Sequence, residues 1–375
     1  MDNIELHDVE VTQAAARSLD RISAEMPLLA NTSSLPGGFE VQEEDVETGI
    51  GTIHVATQGD RKKAAIITYH DIGLNHVSQF QGFCSYIDMQ PILNNFCVYH
   101  VNAPGQEEGA NTLPHSFVYP TMEQLAEALL PVIQHFGIKS FVGFGVGAGA
   151  NILCRFALAH PEKVNGLFLV NCISTAAGWV EWGYQKISSF YLRGNKITKF
   201  SEDYLLWHHF GKKTLEINHD LVHVYKESML RNINPYNLSC FIESYIKRTG
   251  LEIRREMDPE KKKVTPQLRC LVMLVSGASS PHIDDTVQMN GRLDPGNSNW
   301  LKLSDCGGMV LEEQPGKVCE AFRLFLQGIG YVPSLSMTSL KRSRTESSTS
   351  SHCSPPTPAR ASRDSLGSAS TQPMC

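Results

Sequence analysis

The chain has 375 residues, 42% of them hydrophobic, enough to bury one large core or two smaller ones. A formal net charge of -6 offers no general attraction for nucleic acid or an anionic membrane, so nucleic acid is not an expected partner. Ten scattered cysteines with no C-x-x-C pair fit buried, reduced thiols better than a disulfide framework or a zinc site, and no metal or cofactor is expected.

The start, Met1-Asp2-Asn3-Ile4-Glu5, has neither a basic nor an apolar signal region, Asp2 excludes myristoylation, and a final Cys375 cannot be a C-a-a-X site. A cytoplasmic location is therefore expected. Residues 1–38 lack sustained periodicity and end in Leu35-Pro36-Gly37-Gly38, which reads as a flexible arm. From 39 to 331 strand and helix patterns alternate. Thr52 to Ala56 alternates as a half-buried strand, and the runs Ala64 to Tyr69 and Phe96 to Val101 are of central-strand type. Pro120 opens a helix expected to reach Phe136, with Leu125, Leu129, Val132 and Ile133 on one face. Phe141 to Phe144 is a strand, Ala148 to His160 a helix, and Gly166 to Cys172 a strand. The mainly apolar stretch 164–180 falls short of the roughly 20 residues a membrane span needs.

From about 174 to 266 the pattern becomes helical and aromatic, with Trp179, Trp182, Tyr184, Tyr191, Tyr204, Trp207 and Phe210 expected to pack as core. Strands resume at Leu268 to Val275 and Trp300 to Leu303, and a last helix runs from Pro315 to Leu326. Such alternation implies an α/β fold with a mainly parallel central sheet and helices on both faces. Residues 332–375 are rich in Ser, Thr, Pro and Arg and cannot bury enough apolar surface to offset chain entropy, so a disordered tail is expected.

Gly145-Val146-Gly147-Ala148-Gly149 has the spacing of G-x-S-x-G, the strand-to-helix nucleophile elbow of α/β-hydrolases, with glycine in place of serine. In that fold an acid and then a histidine follow along the chain. The stretch Gly277-Ala278-Ser279-Ser280-Pro281 puts Ser280 at the acid's place, and Asp305-Cys306-Gly307-Gly308 puts Gly308 at the histidine's. Neither side chain can orient an imidazole as an anion or accept a proton. Gly147, Ser280 and Gly308 thus read as three vacated triad positions, and the helical insertion at 174–266 occupies the place of a hydrolase cap.

The stretch from Thr68-Tyr69-His70-Asp71-Ile72-Gly73 to Leu74-Asn75-His76, then Ala103-Pro104-Gly105-Gln106, Gly145 to Ala150, Asp305 to Gly308, and Phe325 to Tyr331 resemble the N-myc downstream-regulated (NDR) family, in the right order. The resemblance continues into Ser339 to Thr345 at the start of the tail. It implies a hydrolase-like fold without hydrolase activity, and an adaptor or signalling role in stress response, differentiation, growth control and vesicle traffic. It also implies protein partners and peripheral membrane or vesicle association through them. The tail lacks the tandem decapeptide repeats of one vertebrate paralogue.

Other constellations compete with this reading. His70, Asp71 and His76 have metal-ligand chemistry, but a packed, hydrogen-bonded signature loop is the better expectation. Gly143 to Ala148 loosely fits G-x-G-x-x-A, yet no early βαβ unit or correctly placed acid accompanies it. His282, Asp284 and Asp285 could form a relocated hydrolase or lyase site, although a solvated helix start explains the acids. Cys154 lies about 10 Å along its helix from the elbow, which suits a buried structural thiol. A groove under the cap could hold a small molecule or lipid. In the tail, Arg342 and Arg344 precede Ser347, and Ser354-Pro355 and Thr357-Pro358 are proline-directed, so kinases are expected to act at Thr345, Ser347, Ser354 and Thr357.

Overall fold

Short β-branched and aromatic runs set the strands. A computed structural model describes residues 41–331 apart from Asn195. β1 (Val41–Thr48) and β2 (Gly51–Gln58) form a hairpin. They are followed by β3 (Ala64–Tyr69), β4 (Phe96–Val101), β5 (Phe141–Val146), β6 (Val164–Val170), β7 (Leu271–Gly277) and β8 (Ser298–Leu303). The eight strands lie side by side in the order β1-β2-β4-β3-β5-β6-β7-β8. β2 runs antiparallel to both neighbours, and every pair from β4 to β8 is parallel. β4 and β5 are buried along their whole length. That explains why they read as unbroken apolar runs: helices cover both faces.

Numbering helices of six residues or more, α1 (Met122–Glu127) and α2 (Leu129–His135) follow β4, and α3 (Ala148–Ala159) follows β5. Between β6 and β7 come α4 (Trp179–Leu192), α5 (Lys199–Ile217), α6 (His219–Asn232) and α7 (Pro235–Ile246). α8 (Ile283–Arg292) lies between β7 and β8, and α9 (Pro315–Gly328) closes the described chain. No helix among the described residues is long and apolar enough to cross a membrane.

Two departures from the sequence expectations have local causes. The helix expected from Pro120 to Phe136 is two helices meeting at Ala128. Pro131 has no N–H to offer the carbonyl of Glu127, so the ladder is interrupted there. At the front, Thr121 accepts from the Gln124 amide and Gln124 reaches back, a complete capping box. β1 went unread because Glu43, Glu44, Asp45 and Glu47 hide its alternation, and only Val46 is buried. Charge of this kind suits an edge strand, where unpaired backbone would otherwise invite association.

The core beneath α9 is aromatic. The Phe144 ring packs 4.8 Å from Phe168, 5.0 Å from Phe322 and 5.7 Å from both Phe80 and Phe83. Burying each such side chain contributes about 1.5–3 kcal/mol. This packing fixes the C-terminal end of β5, where the chain turns into α3.

Candidate functional site

β5 ends at Val146 and α3 begins at Ala148, so a single residue, Gly147, makes the turn. Its φ of 51° and ψ of -113° lie where side chains are rarely tolerated. Its N–H donates to the Val170 carbonyl at 2.9 Å, which ties the turn to β6. A Cβ at Gly149 would strike the Tyr69 carbonyl, so that glycine is what lets α3 pass close over β3.

The loop after β3 supplies what faces this turn. Asp71 is 3% exposed, and its Oδ1 accepts from two backbone amides, Ala148 at 2.8 Å and Ile72 at 2.8 Å. The first belongs to the residue after the elbow apex and the second to the loop after β3. Those are the two places from which hydrolases of this architecture draw their oxyanion donors. A Cβ built on Gly147 would fall on the Asp71 carboxyl group itself. The carboxylate therefore fills the space a nucleophile would need and also caps α3 at the positive end of its dipole.

α5 completes the enclosure. His208 Nε2 lies 3.0 Å from Asp71 Oδ2, and His209 Nδ1 lies 3.9 Å from the same oxygen. His282 Nε2 donates to the His208 carbonyl at 2.9 Å, and the two rings sit 4.5 Å apart. A Cβ on Gly308 would collide with the His209 carbonyl, so the backbone of α5 stands where a side chain at 308 would point. Ser280 Oγ donates to Asn171 Oδ1 at 3.0 Å, while Asn171 Nδ2 donates to the Gly308 carbonyl at 2.8 Å. Gly308 thus abuts α5 directly, Gly147 faces it across Asp71, and Asn171 bridges Ser280 and Gly308.

The signature loop is packed and hydrogen-bonded. His70 Nδ1 donates to the Asp71 carbonyl at 2.7 Å, and its Nε2 accepts from the Ala103 amide at 2.9 Å. His76 Nδ1 accepts from Asn102 at 3.0 Å. Metal-ligand chemistry does converge nearby, but with different members: Asp71, His208 and His209 offer ligand atoms all within 4.8 Å of one another. His70 and His76 stand outside that group. Cys154 is fully buried with the Cys172 sulfur at 3.8 Å, and that neighbour together with burial holds its thiol well above the ordinary range. An inert structural thiol follows.

The acids past position 280 separate. Asp284 is exposed, whereas Asp285 is half-buried and faces a cavity of about 770 Å³ between α4, α5 and the start of α8. His208 and His282 also line it, so the space lies next to the elbow. The expectation that the cap aromatics are core holds only for Tyr204 and Phe210; Trp179, Trp182, Tyr184, Tyr191 and Trp207 are exposed. α4 packs one face on α7 and leaves the other uncovered, which sequence periodicity does not distinguish from a core stripe. His208, His209 and Asn171 went unnoticed in the sequence. The available signals were a tandem histidine in the cap and a polar residue closing an apolar strand. Thr345, Ser347, Ser354 and Thr357 lie outside the described residues.

The electrostatics follow from enclosure. Burial alone would raise the Asp71 carboxyl, but His208, His209 and the Ala148 amide outweigh it and hold the group below the usual carboxylate range. Burial pushes His209 and His100 down to about 3, and His70, His76 and His282 down to about 4. In the unfolded chain these rings take up protons near pH 6.5. Their folded values are depressed, so the stability they contribute is full above about pH 6.5 and declines as pH falls towards 4 and below. Each contributes up to about 1.4 kcal/mol per pH unit in that window. Urea unfolding from pH 7.5 to 4.5 should show the midpoint dropping steeply below pH 6.5; a flat profile would contradict neutral buried rings.

Comparison with known proteins agrees with this geometry. The sequence pattern described as the Ndr family matches residues 43–333. Protein NDRG1 of Xenopus tropicalis is 46% identical over 84% of this chain and 77% of its own length. Protein NDRG3 of Xenopus laevis is 41% identical over 92% and 89%. Among solved structures, a thermophilic esterase from Thermogutta terrifontis superposes with a TM-score of 0.61 at 17% identity, covering 77% of this chain and 99% of that one. A hydrolase from Pseudomonas aeruginosa gives 0.60 at 15%, covering 76% and 98%. The fold is that of the α/β-hydrolases, and with a family pattern across residues 43–333 and relatives above 40% identity over most of its length, this chain belongs to the Ndr family.

Proposed function

We propose that this protein works by binding rather than by turnover: a hydrolase frame closed on itself, serving as an adaptor in signalling, stress response, differentiation and vesicle traffic. One observation carries the reading. The Asp71 carboxylate accepts from the Ile72 and Ala148 amides at 2.8 Å each, so the two donors that would stabilise a substrate's oxyanion are already bound to an anion of the chain. With Gly147, Ser280 and Gly308 read as vacated triad positions, no side chain at those three places can attack or transfer a proton.

Incubated with panels of esters, thioesters, amides and epoxides, the purified protein is expected to give no turnover above a heat-treated sample. Gly147→Ser should add none, because the new side chain meets the Asp71 carboxyl group. One geometric feature favours a second reading: His208 joins Asp71 at 3.0 Å and lines the cavity, a carboxylate–imidazole pair that could activate water. Turnover abolished by both His208→Gln and Asp71→Asn would replace the adaptor with a relocated hydrolase or lyase site.

Partner binding draws support from α4, where Trp179, Val180, Ile187 and Phe190 are all exposed, Trp179 at 89%. Apolar surface of this kind on a folded domain marks interaction sites. The tail would regulate it: phosphate on Thr345, Ser347, Ser354 or Thr357 adds about -1.5 to -2 charge each to a basic segment. Affinity purification from cells should recover a partner set with the full chain that changes for Ser347→Ala and for a chain ending near 333. Identical sets in all three would remove the tail from the account.

A further inference from the structure

The cavity beside the filled elbow has a chemical character that the adaptor reading leaves unused. One wall is aromatic. The Tyr184 ring of α4 lies nearly parallel to two rings of α5, Phe200 at 6.1 Å with an interplanar angle of 8° and Tyr204 at 6.5 Å with 9°. Trp207 continues the wall 6.2 Å from Tyr204, and Trp179 stands at the mouth.

Among the described residues the charged side chains on the lining, histidines apart, are all carboxylates, Glu181, Asp203 and Asp285, with no lysine or arginine. Two of the acids have partners outside the space. Glu181 meets Arg248 at 2.8 Å, but that guanidinium is fully buried behind it, over the Tyr245 ring. Asp203 meets Lys199 at 2.5 Å on the outer side of α5. Asp285 has no ion-pair partner among the described residues, and burial followed by the charge of Glu181 raises its carboxyl. Of the two lining imidazoles, His282 is kept neutral near pH 7 by burial, and His208 is turned to Asp71, 3.0 Å away.

We propose that this cavity binds a soluble organic cation, an ammonium or quaternary ammonium group carried on an apolar body. The aromatic faces present negative π density to the cation, and Asp285 supplies the counter-charge at the inner end. The apolar body takes the space between the rings, for which a volume of about 770 Å³ is ample. The same carboxylates repel a phosphate, which sets a phospholipid headgroup apart from this ligand class.

The test uses the full chain and three probes of nearly equal shape, followed by isothermal titration and saturation-transfer NMR at low salt. They are benzyltrimethylammonium, its neutral carbon isostere neopentylbenzene, and benzylsulfonate. The cation is expected to bind, and to bind more tightly than either of the others. Asp285→Asn and Trp207→Leu, both at positions reached by solvent, should each weaken it roughly five- to tenfold. Their ligand-free melting temperatures should match the parent, so weakened binding cannot be ascribed to unfolding. A neutral isostere binding equally well, a preferred anion, unchanged affinity in both variants, or no binding of the cation would each overturn the proposal. The readout needs no turnover. Activity in a substrate panel would count against the non-catalytic function and leave this binding result standing.

Discussion

The carboxylate of Asp71 holds together parts of the molecule that are far apart in sequence. It accepts from the amides of Ile72 and Ala148 and meets His208, so the loop after β3, the head of α3 and the cap helix α5 share one buried anion. Such an anion in a low-dielectric interior persists only when its oxygens are paired, and here each oxygen is. The positive end of α3 adds to the attraction. Loop, elbow and cap cannot separate without leaving either the charge or its donors unpaired.

This arrangement also explains why glycine is required around the elbow. At Gly147 the Asp71 carboxyl group takes the space of a side chain, and at Gly308 the His209 carbonyl does the same. These glycines are the counterpart of the filling groups, each shaped by what now occupies its place. A larger side chain at either position would displace a packed group. Next to this sealed centre the cap leaves space, bounded by aromatic rings and carboxylates, and its outer helix leaves apolar side chains in solvent. The closed and open regions meet at His208 and His282, which line the cavity and touch the sealed centre.

Much of the fold was legible because its strands are buried on both faces, so β3, β4 and β5 stand out as apolar runs. The elbow spacing and the order of the later motifs single out Gly147, Ser280 and Gly308 in the sequence itself. β1 was hidden because edge strands carry charge on both faces, and the break at Ala128 because Pro131 acts on a carbonyl four residues earlier. The filling of the site was not legible. Asp71 and His208 are separated by 137 positions, and their pairing depends on how the cap folds back, which local pattern does not encode. The aromatic residues of the cap show the same limit: helical spacing says they share a face, not whether anything covers it.

The ionisation of Asp71 tests the central claim most directly. With aspartate carboxyl carbons labelled in the full chain and the Asp71 resonance assigned by its loss in Asp71→Asn, a 13C NMR titration can follow that carboxyl as pH is lowered. The account predicts a carboxylate resonance that stays constant until the chain unfolds in acid, because His208, His209 and the Ala148 amide hold the group ionised. A carboxyl that takes up its proton at about pH 4 or above while the protein remains folded would show that the anion does not occupy the elbow.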